Sequence, residues 1–230
     1  MVDIYNGDKR ASQEVYDHFN GFIFSGDRAI FNKLKARIDF HEHTKHLFGD
    51  IVECGVFKGS GMATWLKILA SAEPNSNKKV IGFDVFDPDF FNNNQTDLDA
   101  QGMKRVLARS QDEVDLEEWS VRLRLINAGF DDSKFELVRG DICDTAFQYP
   151  RDKPGFRISI LYLDLDIYEP TMMALENFWD RMEHGGIVVF DEYAYHQWSE
   201  TDAADEFCQT NNLKLQKTGI KAPTAFIVKP

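Results

Sequence analysis

The segment IVECGVFKGSGMATWLKILASAEPNSNKKVIGFDVF, residues 51–86, decides the fold. A short apolar run, IVECGV, meets a glycine-rich turn, after which GMATWLKILASA carries apolar residues at helical spacing. The polar loop PNSNKK (74–79) then leads into a second apolar run, KVIGFDVF. Strand, helix and strand in that order form a βαβ unit, which implies parallel strands covered on both faces. The alternation returns downstream as FELVRGD (135–141), RISILYLD (157–164), the helix PTMMALENFWDRM (170–182), GIVVFD (186–191) and the helix ETDAADEFCQTN (200–211). Two closing strands, LKLQKT (213–218) and TAFIVK (224–229), are separated by GIKAP alone. Five residues cannot hold a crossover helix, so this pair is expected to run antiparallel at one edge. The expectation is a seven-stranded, doubly wound, mostly parallel α/β sheet with an antiparallel edge hairpin.

Residues 1–48 precede this rhythm and read as an N-terminal helical extension to a single domain spanning 49–230. In DRAIFNKLKARI (27–38), Ile30, Phe31, Leu34 and Ile38 recur at helical spacing behind Asp27, so this helix is expected to cap the core with that stripe. FNNNQT (91–96) is a loop signal, whereas QTDLDAQGMKRVLARS (95–110) and EVDLEEWSVRLRLINAG (113–129) look helical. Together they exceed one crossover, and residues 92–130 read equally as extra helices on the sheet or as a lid over a substrate mouth.

Against 26 basic side chains stand 38 acidic ones, a net charge of -12 that disfavours a nucleic-acid partner. Cys54, Cys143 and Cys208 are odd in number and far apart, which fits a reducing compartment better than a disulfide scaffold. The polar start MVDIYNGDKR lacks a signal-peptide core, and no apolar run reaches the length of a membrane span. A soluble cytoplasmic protein without a membrane partner is therefore expected, with a homo-oligomer left open.

Chemistry concentrates where strands end. Glu53, Gly55, Gly59, Ser60 and Gly61 occupy the turn from first strand to helix, where glycines let a ligand approach the backbone. The spacing G-x-x-x-G-x-G is not the dinucleotide fingerprint. Asp84 ends the second strand, in position to accept hydrogen bonds from ribose hydroxyls, and Asp141 follows the third beside where a base would lie. An adenosine-containing ligand is the natural expectation. In LYLDLDIYEPT (161–171) and IVVFDEY (187–193), apolar strands run into Asp164, Asp166 and Glu169 and into Asp191 and Glu192. Several carboxylates aimed at one sheet edge are costly unless a cation or shared protons accompany them. Asp166 and Glu169 are read as caps of the following helix. His196, four residues beyond the second acidic pair, is the candidate general base, since imidazole is the side chain suited to proton transfer near neutrality. His41, His43 and His46 crowd together ahead of the first strand, which suits a metal or an exposed helix end equally well.

The succession ECGVFKGSG, FDVF, RGD, LDLDIYEPT and GGIVVFDEY resembles the class I S-adenosylmethionine-dependent methyltransferases, and more closely the macrocin O-methyltransferase family of antibiotic-sugar enzymes. The likeness runs from about residue 50 to 210. It implies S-adenosylmethionine as cofactor, a hydroxyl-bearing small molecule such as a sugar as acceptor, and a magnesium ion beside the acceptor hydroxyl. Matching the family's D-x-D-x-Y motif and its acids after the Gly-Gly strand assigns the metal to Asp164, Asp191 and Glu192, with Asp164 also serving catalysis. Family members commonly carry Asp where Glu192 stands, and the first 45 residues match poorly. The rival readings are a D-x-D nucleotide-sugar glycosyltransferase, an NAD-dependent dehydrogenase, and a methyltransferase-like domain that binds without turnover.

Overall fold

The computed structural model describes residues 9–87, 89–90, 98–107 and 113–230. Among them the chain runs α1 (Lys9–Ile23), α2 (Ala29–Thr44), β1 (Asp50–Cys54), α3 (Ser60–Ala72), β2 (Val80–Asp84), α4 (Leu98–Leu107), α5 (Glu118–Asn127) and β3 (Phe135–Arg139). It continues through α6 (Ile142–Asp152), β4 (Ile158–Leu163), α7 (Tyr168–Phe178), β5 (Met182–Phe190), α8 (Glu200–Thr210), β6 (Gln216–Lys217) and β7 (Ala225–Val228). The seven strands lie in the order β3-β2-β1-β4-β5-β7-β6. The first five are parallel, and β7 pairs antiparallel with both β5 and β6. The doubly wound sheet and its edge hairpin are thus as the strand pattern required. The FNNNQT loop falls outside the described residues.

Burial explains why β4 reads as a mainly apolar run, since every residue from Ile158 to Leu163 is buried. Alternate side chains feed two cores. On one face Val52, Phe83, Leu161 and Phe190 pack with Phe178 and Leu175 of α7. On the other, Ile51, Ile160, Tyr162 and Val189 pack with Trp65 and Leu66 of α3 and Phe40 of α2. Each such side chain contributes roughly 1.5–3 kcal/mol by leaving water.

The helix at 29–44 is present, and Asp27 accepts the Ala29 amide at 2.7 Å near its start, but its face is reversed from the expectation. Ile30, Phe31, Leu34 and Ile38 are 58, 47, 38 and 44 % exposed, while Ala36, Arg37, Phe40, His41 and Thr44 are buried. The reason is electrostatic: the inward face carries Lys33 and Arg37, which pair with acids under the helix. His41 is likewise buried, its Nε2 2.8 Å from Glu73, whereas His43 and His46 are exposed. Among the described residues no helix is long and apolar enough to cross a membrane.

The strand order reverses between β1 and β4. Helix α3, after β1, packs on one face and α7, after β4, on the other, which opens a crevice at the carboxyl ends of these two strands.

Candidate active site

Hydrogen bonds that continue the ladder past the strand ends fix the site. Gly55 donates to Phe83 O at 2.9 Å, Asp164 to Cys54 O at 2.9 Å, and Asp191 to Leu163 O at 3.0 Å. Asp84, Gly55, Asp164 and Asp191 therefore stand in one row across β2, β1, β4 and β5. The loops leaving those strands also hold non-glycine residues at positive φ: Phe57 (50°), Phe86 (49°), Asp166 (65°) and Ala194 (66°). Backbone strain of this kind persists where surrounding structure imposes it, and it clusters at functional edges.

Two clefts meet along the row. The first is lined by Gly55, Asp84, Asp141, Ile142, Cys143, Asp164 and Leu165, among others. The second is lined by Lys33, Phe57, Asp87, Asp164, Asp166, Glu192 and Trp198, among others. Gly55, Asp84, Val85, Met103 and Asp164 line both. Asp84 accepts the amides of Val56 and Phe57 on one oxygen, at 2.8 and 2.9 Å, and that of Phe86 on the other at 3.0 Å. These bonds hold the β1 turn against β2 at the wall of both clefts. Asp141 caps α6 by accepting the Cys143 amide at 2.9 Å. Gly59, Ser60 and Gly61 start α3. Glu53 lies beneath that first turn, 2 % exposed, and a Cβ at Gly61 would fall 1.9 Å from its Oε1. Burial lifts the Glu53 carboxyl to about 7, partly opposed by Arg37, whose Nη2 is 3.7 Å away.

Of the acids that follow β4 and β5, Asp164, Asp166 and Glu192 line the second cleft. Asp191 is fully buried, and the Tyr162 hydroxyl donates to its Oδ1. Lys33 Nζ stands 2.6 Å from Asp191 Oδ2, an ion pair without hydrogen-bond alignment, and 3.3 Å from Asp164 Oδ2. Glu192 Oε2 is buried without a hydrogen-bond partner. Burial, reinforced by Asp191, raises Asp164 to about 6 and Glu192 to about 7. Burial and then Asp164 raise Asp166 to about 8. Glu200 of α8, also fully buried, accepts the Glu192 amide at 3.1 Å. Burial pushes its carboxyl well above the usual range.

One expectation is overturned. Asp166 is no cap: α7 has Ile167 at its cap position with no side-chain cap bond, and the Tyr168 amide is taken by Ser199 Oγ at 2.7 Å. Its carboxylate instead lines the second cleft. His196 is exposed and outside the lining of both clefts, where its neighbours Gln197 and Trp198 line the second. Among the described residues no three carboxylate, imidazole or thiolate groups are grouped as metal ligands, and the Lys33 ammonium pairs with both Asp164 and Asp191. From the 92–130 segment, Met103 lines both clefts, Leu116 lines the second, and Gly102 packs against Trp198.

The model of the macrocin O-methyltransferase (TylF) family matches residues 7–228. The chain belongs to that family. It is 29 % identical over 150 residues to 8-demethyl-8-(2,3-dimethoxy-alpha-L-rhamnosyl)-tetracenomycin-C 4'-O-methyltransferase of Streptomyces olivaceus, covering 64 % of this chain and 53 % of that one. It is 29 % identical over 161 residues to demethyldecarbamoylnovobiocin O-methyltransferase of Streptomyces niveus, covering 69 % and 58 %. The chain thus spans somewhat more than half the length of these relatives. Among solved structures, the calicheamicin methyltransferase CalS11 superposes with a TM-score of 0.76 at 24 % identity, over 94 % of this chain and 85 % of that one. The O-methyltransferase NovP gives 0.69 at 23 %, over 86 % and 79 %. Both share the fold.

Proposed function

We propose that this chain transfers a methyl group from S-adenosylmethionine to a hydroxyl of a sugar or a sugar-bearing small molecule, assisted by a divalent cation. The observation that carries the reading is the shared wall of the two clefts at Gly55, Asp84 and Asp164. A donor in the first cleft and an acceptor in the second would meet there, and holding oxygen, methyl and sulfur in line supplies much of the catalysis of such a displacement. Asp84 at the end of β2 receives the ribose and Asp141 after β3 borders the base, to one side of the β1–β4 switch point where the fold binds nucleotides. Sugar or antibiotic acceptors are those that the names of the curated relatives carry.

The donor set fits a hard cation. Asp164, Asp191 and Glu192 offer carboxylate oxygens only, Glu192 Oε2 is buried without a partner, and a cation of another kind, the Lys33 ammonium, already sits against two of the three acids. Bound there, magnesium would stabilise the oxyanion that develops on the acceptor. Asp166, outside that donor set, lines the acceptor cleft, which places it to receive the hydroxyl proton. For His196 to do so, its loop must turn it inward. The 92–130 segment, through Met103 and Leu116, would cover the mouth.

The test is a screen of sugars, glycosides and vicinal diols with S-adenosylmethionine, reading methylated product by mass spectrometry. Exhaustive chelation is expected to stop transfer, and added magnesium to restore it. Full turnover in metal-free buffer would remove the cation from the proposal while leaving the transfer itself.

A further inference from the structure

Helix α2 sends two cations one turn apart into the site, and they are held differently. Arg37 is 5 % exposed, lies 4.3 Å above the Tyr162 ring and pairs with Glu53, so it is part of the core. Lys33 keeps 30 % of its side chain exposed and lines the second cleft, with Asp191 and Asp164 as its ion-pair partners. The two Asp191 oxygens are thereby divided, Oδ1 taken by the Tyr162 hydroxyl and Oδ2 faced by the ammonium. One positive charge here faces Asp164 and Asp191, in a cleft that Asp166 and Glu192 also line. Unlike an arginine, a lysine is a compact point charge on a flexible stem that can withdraw to water.

We propose that Lys33 is the resident counter-cation of this acidic pocket, and that its ammonium and a divalent cation are mutually exclusive occupants of the position between Asp164 and Asp191. The inference rests on reading those acids as a cation site. Occupation by a metal requires Lys33 to swing out toward the open cleft, and the acids stay compensated in either state. The ammonium therefore competes with the metal and weakens its binding.

Manganese, a paramagnetic stand-in for magnesium, reads this directly when its free signal is followed by electron paramagnetic resonance during titration of the full chain. Lys33→Gln should bind manganese at least tenfold more tightly than the parent. Lys33→Arg, which keeps the charge, should bind no more tightly than the parent. If Lys33→Gln fails to fold by circular dichroism, Lys33→Met carries the same expectation. A neutral variant that binds manganese no better than a metal-binding parent overturns the competition alone. Absence of manganese binding in parent and variants overturns the cation site as well. S-adenosylhomocysteine calorimetry on the same samples reads the cofactor cleft independently of both.

Discussion

Asp164→Asn is expected to lower methyl transfer by about 10²- to 10³-fold while leaving S-adenosylhomocysteine affinity nearly intact. A loss of this size is typical when one preorganised electrostatic partner is removed from a reacting centre. Asp164 lines both clefts and is paired with Lys33 through Oδ2, but its place in the sheet rests on its backbone amide, which the substitution preserves. The effect on stability should have the opposite sign. Burial, and then Asp191, hold the Asp164 carboxyl at about 6, above its ordinary value of 3.8. A group so shifted contributes stability that is complete below pH 3.8 and lost as pH rises through about 6. Above pH 7 the asparagine variant should therefore melt no lower than the parent, a trade of stability against activity that marks a functional carboxylate. Thermal melts and initial rates on one preparation decide it, and parallel losses in both would make Asp164 structural.

Gly55→Ala should destabilise the chain by roughly 3–4 kcal/mol and abolish cofactor binding. Gly55 has φ of 90°, and a Cβ there would fall 2.0 Å from the Asp164 carbonyl oxygen. Overpacking costs about 1–3 kcal/mol and left-handed backbone about 1–2 kcal/mol for a residue with a side chain. For a chain of this length the melting temperature should drop by about 10 °C. The clash cannot be relieved locally, because Asp164 N is bonded to Cys54 O, so β1 and β4 must separate where the clefts begin. Gly219 is the control: its φ is 81°, but nothing lies within 4 Å of the position its Cβ would take. Gly219→Ala should show the backbone cost alone. Equal effects at the two positions would contradict the close approach at Gly55.

The sheet was legible because its signals are local. Residues 51–86 contain a whole βαβ unit, and the acids at 164 and 191 follow apolar runs directly, so alignment of the strands brings them together without further information. Parts of the site come from contacts distant in the chain. Lys33 and Arg37 sit opposite an apolar stripe that periodicity assigns to the core, yet they meet Asp164 and Glu53 across the fold. Their i, i+4 spacing, continued by buried His41, was the available signal, but charges on a helix ordinarily face water. Asp166 looked like a helix cap because the true partner of the Tyr168 amide, Ser199, lies 31 residues away. Glu200 gave no sign, since a glutamate in a first helical turn is unremarkable until α8 is seen to bury it under Glu192.

Titration calorimetry with S-adenosylhomocysteine, comparing the parent with Asp84→Ala, tests the central claim most directly. The parent should bind one equivalent with a micromolar Kd, and the variant at least tenfold more weakly, because Asp84 both faces the cleft and holds the Val56 and Phe57 amides of its wall. Circular dichroism must show the variant folded. Absence of binding at millimolar ligand, or equal affinity in the two proteins, would contradict the assignment of this crevice to the methyl donor.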